Sequence, residues 1–259
     1  TVFDDEREVE SVLRRLANRS DIRLRFRVTE SHWRSYLYKS ESGLAQVFPD
    51  DYEQAIINQI EVCQQICRRP ISVICGQAGT GKTTVVKAII QAIEKAHGTG
   101  TAFQLLAPTG KAADRLRDLT EKEASTIHSF LAKHGWLNDN LTFRRHGGQR
   151  EDGNTTYIID ESSMLDLSLL AAFFRSVNWN SVQRLIFIGD PNQLPPIGAG
   201  KVFADLIDWL KHEMPEHVGE VKTSIRQLRN SLTDQGTGIL GLASLYLRHE
   251  REEDKNVAS

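Results

Sequence analysis

The chain has 259 residues, 40% of them apolar and 25% charged, ordinary values for a globular protein able to bury a sizeable core. Lys and Arg number 32 against 34 Asp and Glu, a net charge of −2. This excludes a polycation, so any nucleic-acid contact must come from a local patch. No apolar run approaches the roughly 18 residues that suggest a membrane span, and TVFDDEREVE at the N-terminus is too acidic for a targeting peptide. Three cysteines are too few for a disulfide framework, and a reducing, cytoplasmic setting with no membrane partner is the expectation. The first residue is Thr1 rather than Met, so we expect an excised or processed piece.

Residues 1–50 read as a charged N-terminal accessory segment or part of a further domain. Within it, SVLRRLANRS has helical spacing, and DIRLRFRV alternates apolar and basic residues as a half-exposed strand does. A helix is predicted over 52–68, carrying Cys63 and Cys67 four residues apart. With Cys75 at a strand end, they read as small buried hydrophobes rather than metal ligands. From Ile71 an α/β rhythm begins. Apolar strands are predicted at 71–75, 102–107, 156–160 and 184–189, separated by helices at 82–97, 110–119, 125–134 and 166–176. A helix over 201–213 and a strand over 218–223 follow, and RHEREEDK reads as the solvated end of a helix. Short buried strands alternating with helices imply an α/β fold, its central, mostly parallel sheet covered on both faces.

The strand at 71–75 runs into GQAGTGKTT, a G-x-x-x-x-G-K-T phosphate loop in its strand–loop–helix setting. Gly76, Gly79 and Gly81 allow the sharp turn that brings backbone N–H groups onto phosphate oxygens, at a helix N-terminus that favours negative charge. Gln77, Ala78, Thr80 and Thr84 complete the cradle, Lys82 is expected to reach the β- and γ-phosphates, and Thr83 to bind Mg²⁺. TYIIDESSM places Asp160 and Glu161 at the carboxyl end of a buried strand, the edge of a parallel sheet where ligands sit. Asp160 is the expected Mg²⁺ partner. Glu161 is the expected base that aligns the attacking water. After the next strand, IGDPNQLPPIGAG offers Gln193 as a γ-phosphate sensor, in a loop whose path Pro195 and Pro196 restrict.

In this order GQAGTGKTT, LLAPTGKAADRL, STIHSFL, IIDESSM, GDPNQLPPIGAG and TSIRQ resemble the motifs of superfamily 1 DNA helicases, in the RecD-type branch. The resemblance runs from about Asp50 to about Leu247. It implies a three-layer, RecA-like P-loop domain over 51–227, ATP and Mg²⁺ as ligands, and 5′→3′ movement on single-stranded DNA. By resemblance, Gln59, 17 residues before Gly76, matches the adenine-reading glutamine, with Gln54 as the alternative. Pro108, Thr109, Gly110 and Lys111 match a segment that holds the strand backbone, and Thr126 and His128 match a second DNA contact. Arg226 matches the arginine that stabilises charge on the γ-phosphate. A kinase would need neither GDPNQLPP nor PTGKAADRL. An ATP-gated regulatory module remains the other alternative.

The family's carboxylate motif usually continues with Ala where this chain has Ser162, and little effect is expected. Only 33 residues follow Arg226, fewer than a second RecA-like domain needs. We therefore expect a first motor domain with the opening of a linkage (228–259), unable to unwind DNA alone. Its expected partners are a second motor domain or other helicase or nuclease subunits. Between the motifs, Arg144, Arg145, His146 and Arg150 flank Gly147–Gly148, which suggests either a basic hairpin within 136–156, comparable in place to the family's strand-separating pins, or a mobile surface loop.

Overall fold

The computed structural model describes residues 1–193, 196, 198 and 200–222. Its first helix, α1 (Val2–Ala17), is opened by a Thr1–Asp4 capping box and buries Val9, Val12, Leu13 and Leu16. That i, i+3, i+4, i+7 spacing puts all four on one face. Two short helices follow, α2 (Glu30–Leu37) and α3 (Gly43–Val47), and then α4 (Pro49–Ile66), which starts on a proline at its first turn. The alternation in DIRLRFRV does not make a strand. Residues 21–28 belong to no sheet, the chain bends at Arg25–Phe26, and Leu24 and Val28 lie half-buried against the core. The alternation serves one-sided packing here, and the backbone has one cross-link, Ile22 N–H to Arg68 O at 2.8 Å.

The α/β part runs β1 (Ile71–Cys75), α5 (Lys82–His97), β2 (Phe103–Ala107), α6 (Gly110–Thr120), β3 (Ala124–Thr126), α7 (Ile127–Lys133), β4 (Thr156–Ile159), α8 (Leu167–Arg175), β5 (Arg184–Gly189), α9 (Val202–Glu213) and β6 (Val218–Glu220). Among the described residues the pairings of this sheet are all parallel, in the order β3-β2-β4-β5-β1-β6. One predicted helix, 125–134, begins two residues late. Residues 124–126 pair with β2 instead, and Thr126 then caps α7 by accepting the Ser129 amide at 3.0 Å. Three residues are too few to show a strand's alternation, which hid β3 from the sequence.

The strands alternate between two apolar layers. Val73, Leu106, Tyr157, Ile159, Leu185 and Phe187 face α1, α7, α8 and α9, whereas Ile74, Leu105, Ile158, Ile186 and Ile188 face the layer of α2–α6. The charged N-terminal stretch contributes to both layers: α1 packs on α8, and Trp33 and Leu37 of α2 are buried beside α4 and α5. Among the described residues no helix is long and apolar enough to cross a membrane.

Candidate nucleotide site and nucleic-acid edge

Cys75 ends β1, and the chain turns through Gly76–Gly81 into α5. Gly79 and Gly81 have φ of 85° and 92°, the left-handed region that glycine enters without steric cost. At Gly76 a Cβ would come within 2.4 Å of the Val221 carbonyl oxygen, so only glycine fits that close approach. Lys82 folds over the loop, donating from Nζ to Gly76 O at 2.7 Å and Gln77 O at 2.9 Å. Burial pulls its pKa down, opposed by the fields of Asp190, Asp160 and Glu161. Gln77 and Ala78 form the exposed crest, Thr80 and Thr83 are buried, and Thr84 is exposed.

Asp160 follows β4 and is itself buried, which raises its carboxyl pKa, while the Glu161 amide, donating at 2.8 Å, pulls it down. Glu161 sits at φ 53° with its carboxylate toward α6, where Arg115 Nη1 lies 4.0 Å from Oε1. Ser162, in place of the expected Ala, is buried and satisfied: it donates to Ile159 O at 2.8 Å and accepts from Ile188 N. The hydroxyl therefore costs the site no unmet polar group.

Gln193 is joined to the carboxylate segment, its Oε1 accepting from Ser163 Oγ at 2.9 Å. Two residues missed from sequence organise this corner. Asp190, buried at the end of β5, accepts from the Ala78 amide at 3.1 Å and from Asn192 N at 3.0 Å, tying the phosphate loop to the Gln193 loop. The rule that found Asp160, an acid ending an apolar strand, applies equally to it. Ser163 carried no such signal. Arg226 and Pro195 lie outside the described residues.

Of the two glutamines considered for the base, Gln54 is exposed and Gln59 is buried under the loop, donating to Thr80 O at 3.3 Å. Among the described residues its Oε1 is buried without a hydrogen-bond partner. The residues present thus fit a nucleotide: a glycine cradle of amides, a lysine at its centre, carboxylates beside it, and a polar group with spare capacity.

Register places the other predicted residues on the same sheet edge. Ala107 pairs with Thr126, so β2 and β3 end level, and each delivers a threonine N-cap. Thr109 Oγ1 accepts the Ala112 amide at 3.3 Å, as Thr126 does for Ser129. Two helix N-termini therefore lie side by side, with Gly110 open and Lys111 and His128 exposed. Strands about 4.8 Å apart put them roughly 14–19 Å from β1 along the edge, with β4 and Glu161 between. The His128 ring lies 5.7 Å from Phe143.

Phe143 belongs to a hairpin, but not to one that turns at Gly147–Gly148. Arg144 N–H bonds Trp136 O at 2.8 Å and Asn138 N–H bonds Thr142 O at 2.9 Å, so the tip is 139–141, with Leu141 72% exposed. Gly148 instead sits against the Trp136 ring, where a Cβ would clash at 2.5 Å. The basic residues are partly spent: Arg145 pairs with Asp4 at 3.2 Å, and Arg144 donates to Asn138 at 3.1 Å.

A family profile described as an AAA domain matches residues 56–246. The chain belongs to the AAA-domain family. Its similarities include RecD-type helicases. It is 30% identical over 188 residues to the RecBCD enzyme subunit RecD of Haemophilus influenzae, covering 64% of this chain and 28% of that one. It is 34% identical over 142 residues to the ATP-dependent RecD2 DNA helicase of Deinococcus radiodurans, covering 55% and 18%. An uncharacterised protein of Methanocaldococcus jannaschii is 33% identical over 219 residues, covering 81% and 18%. The AAA-domain chain thus spans less than a third of the length of these relatives.

Proposed function

We propose that this AAA domain is the ATP-binding and ATP-hydrolysing half of a motor that moves 5′→3′ on single-stranded DNA. The other half would be a second RecA-like domain, in the same polypeptide or on a partner helicase or nuclease subunit, in a cytoplasmic setting. The observation that carries the reading is the linkage of the phosphate loop, Asp160–Glu161 and Gln193 through Asp190 and Ser163 on one sheet edge, beside the paired N-termini of α6 and α7. A P-loop alone supports only binding. A glutamate and a glutamine held together beside it supply what hydrolysis needs, a group to align water and a group to sense the terminal phosphate.

In this reading the loop amides and Lys82 hold the triphosphate, and Gln59 uses its spare oxygen on the base. Thr83 and Asp160 would hold Mg²⁺, which supplies charge neutralisation on the β- and γ-oxygens. Glu161 takes the proton of the attacking water as ATP goes to ADP and phosphate. Arg226 would lend charge to the same phosphate. Thr109, Gly110, Lys111, Thr126 and His128, with Pro108 shaping the turn, grip the strand by its backbone, which suits a motor that must hold any sequence. The apolar tip at Leu141 suits a strand-separating pin.

The test is binding of a fluorescent ATP analogue with Mg²⁺. The chain should bind it, Lys82→Ala should abolish binding, and turnover should be slow, because charge preorganisation is completed only when a second domain closes over the nucleotide. Undiminished binding in the Lys82 variant would defeat the reading.

A further inference from the structure

Arg115 stands on the second turn of α6, the helix whose first turn carries Gly110 and Lys111. Lys111 and Arg115 are four residues apart and so lie on one stripe of the helix, one turn from each other. Two other charged groups of α6 and its C-terminal cap are paired elsewhere: Arg117 with Asp114, and Glu121 with Lys87 at 2.6 Å. Arg115 has instead crossed from the strand-contacting element to the carboxylate segment, where it lies 4.0 Å from Glu161. The crossing is possible because β2, which leads into α6, and β4, which leads into Glu161, are hydrogen-bonded neighbours.

The pair is loose and half-exposed, with side chains 48% and 27% accessible, so it can open at small cost. Among the described residues of the site, Glu161 is also the one non-glycine in the left-handed region, a conformation that persists only where surroundings impose it. Its carboxylate lies toward α6, and Arg115 is the cation it meets there. The charge of Arg115 also reaches Asp160 and Lys82, so a displacement of this guanidinium is felt across the catalytic corner.

We infer that Arg115 is a positioning residue that couples strand occupancy to hydrolysis: it holds Glu161 toward α6 while the helix's first turn is empty, and a phosphate backbone bound at Thr109–Lys111 shifts α6 and frees the carboxylate for water. An 11-residue helix behaves as a stiff element, so displacement at its first turn is carried to its second. The bound strand provides the bias, because it contacts the shifted position better. This inference rests on the reading of Glu161 as the base given above.

The experiment measures single-turnover ATP hydrolysis by the chain with and without oligo-dT, alongside fluorescent ATP-analogue binding and oligo-dT anisotropy. Arg115→Ala should raise the DNA-free rate and lower the ratio of DNA-stimulated to DNA-free rates by roughly 2- to 30-fold, the range found for residues that carry coupling. Both binding affinities should be unchanged. Arg115→Lys, which keeps the charge, should stay nearer the wild-type ratio. A purely structural role would not accelerate the DNA-free reaction. A ratio unchanged in Arg115→Ala overturns the inference, as does a ratio lost together with oligo-dT binding or with nucleotide binding. If Lys82→Ala still binds the analogue, the nucleotide-site reading fails instead, whatever the ratio does.

Discussion

Asp160 and Glu161 are adjacent carboxylates held in different surroundings. Asp160 is buried, and the Glu161 amide offsets part of the penalty that burial puts on its charge. Glu161 is more accessible and turned the other way by its positive φ. Different environments give like groups different tasks, and here they favour ion binding for the first and proton transfer for the second. Glu161→Gln should therefore leave nucleotide affinity near wild type and slow hydrolysis by roughly 10²–10⁴-fold. Turnover at the wild-type rate would remove this residue from the mechanism. The cysteines need no catalytic task. Burial raises all three thiols, Cys67 and Cys75 to about 11, which leaves them protonated at neutral pH.

Among the elements, α1 and α8 are joined by charge as well as by packing. Arg175, on the last turn of α8, pairs with Asp5 and, at 2.9 Å, with Glu8, its side chain only 10% accessible. Removing one partner of a buried pair strands the other's charge away from water. Arg175→Ala should therefore cost about 3–5 kcal/mol in urea unfolding. A loss within the scatter of ordinary surface substitutions would show that the apolar contacts alone close this interface. The helices α6 and α7 present their N-terminal ends side by side. If α6 and α7 hold a strand as proposed, nearly neutral net charge leaves N-terminal amides, hydroxyls and one lysine to do so, and binding should be weak and its salt dependence shallow. Lys111→Ala should reduce the slope of log affinity against log salt by about one and weaken all base sequences alike. A steep slope untouched by that change would move the contact to the basic residues of the 144–150 segment.

For the molecule as a whole, the charged N-terminal stretch is part of what holds the sheet. Val9, Val12, Leu13 and Leu16 of α1 lie in the same apolar layer as Phe173 of α8 and Tyr157 of β4. Four buried aliphatic side chains at about 1.5–3 kcal/mol each contribute some 6–12 kcal/mol gross, comparable with the net stability of an entire domain. Deleting residues 1–17 should abolish the cooperative thermal transition or drive aggregation through the exposed face of α8. A truncated chain that melts within a few degrees of the full one would instead make α1 a dispensable attachment.

Much of the chemistry was legible because it is local. The phosphate loop declares itself by glycine spacing, and the strand ends at Cys75, Ala107, Ile159 and Gly189 by apolar runs that stop at turn residues or acids. Those signals act within a few residues, so a chain read in one dimension contains them. Residues 21–28 show the limit. Their alternation is a strand's, yet a strand needs a partner, and partnership is settled by whatever else reaches the sheet edge. The same limit hid Asp190 beneath Ala78, the hairpin tip at 139–141, and Arg115 opposite Glu161. The first and last are contacts between segments that only the β3-β2-β4-β5-β1-β6 order brings together, and the hairpin tip is set by backbone pairing that its residue types do not announce. The sequence by itself determined which groups are chemically suited to the proposed phosphate, metal and proton-transfer roles. The tertiary structure decided which of them face one another, because hydrogen bonds and ion pairs depend on distance across the sheet and not on separation along the chain.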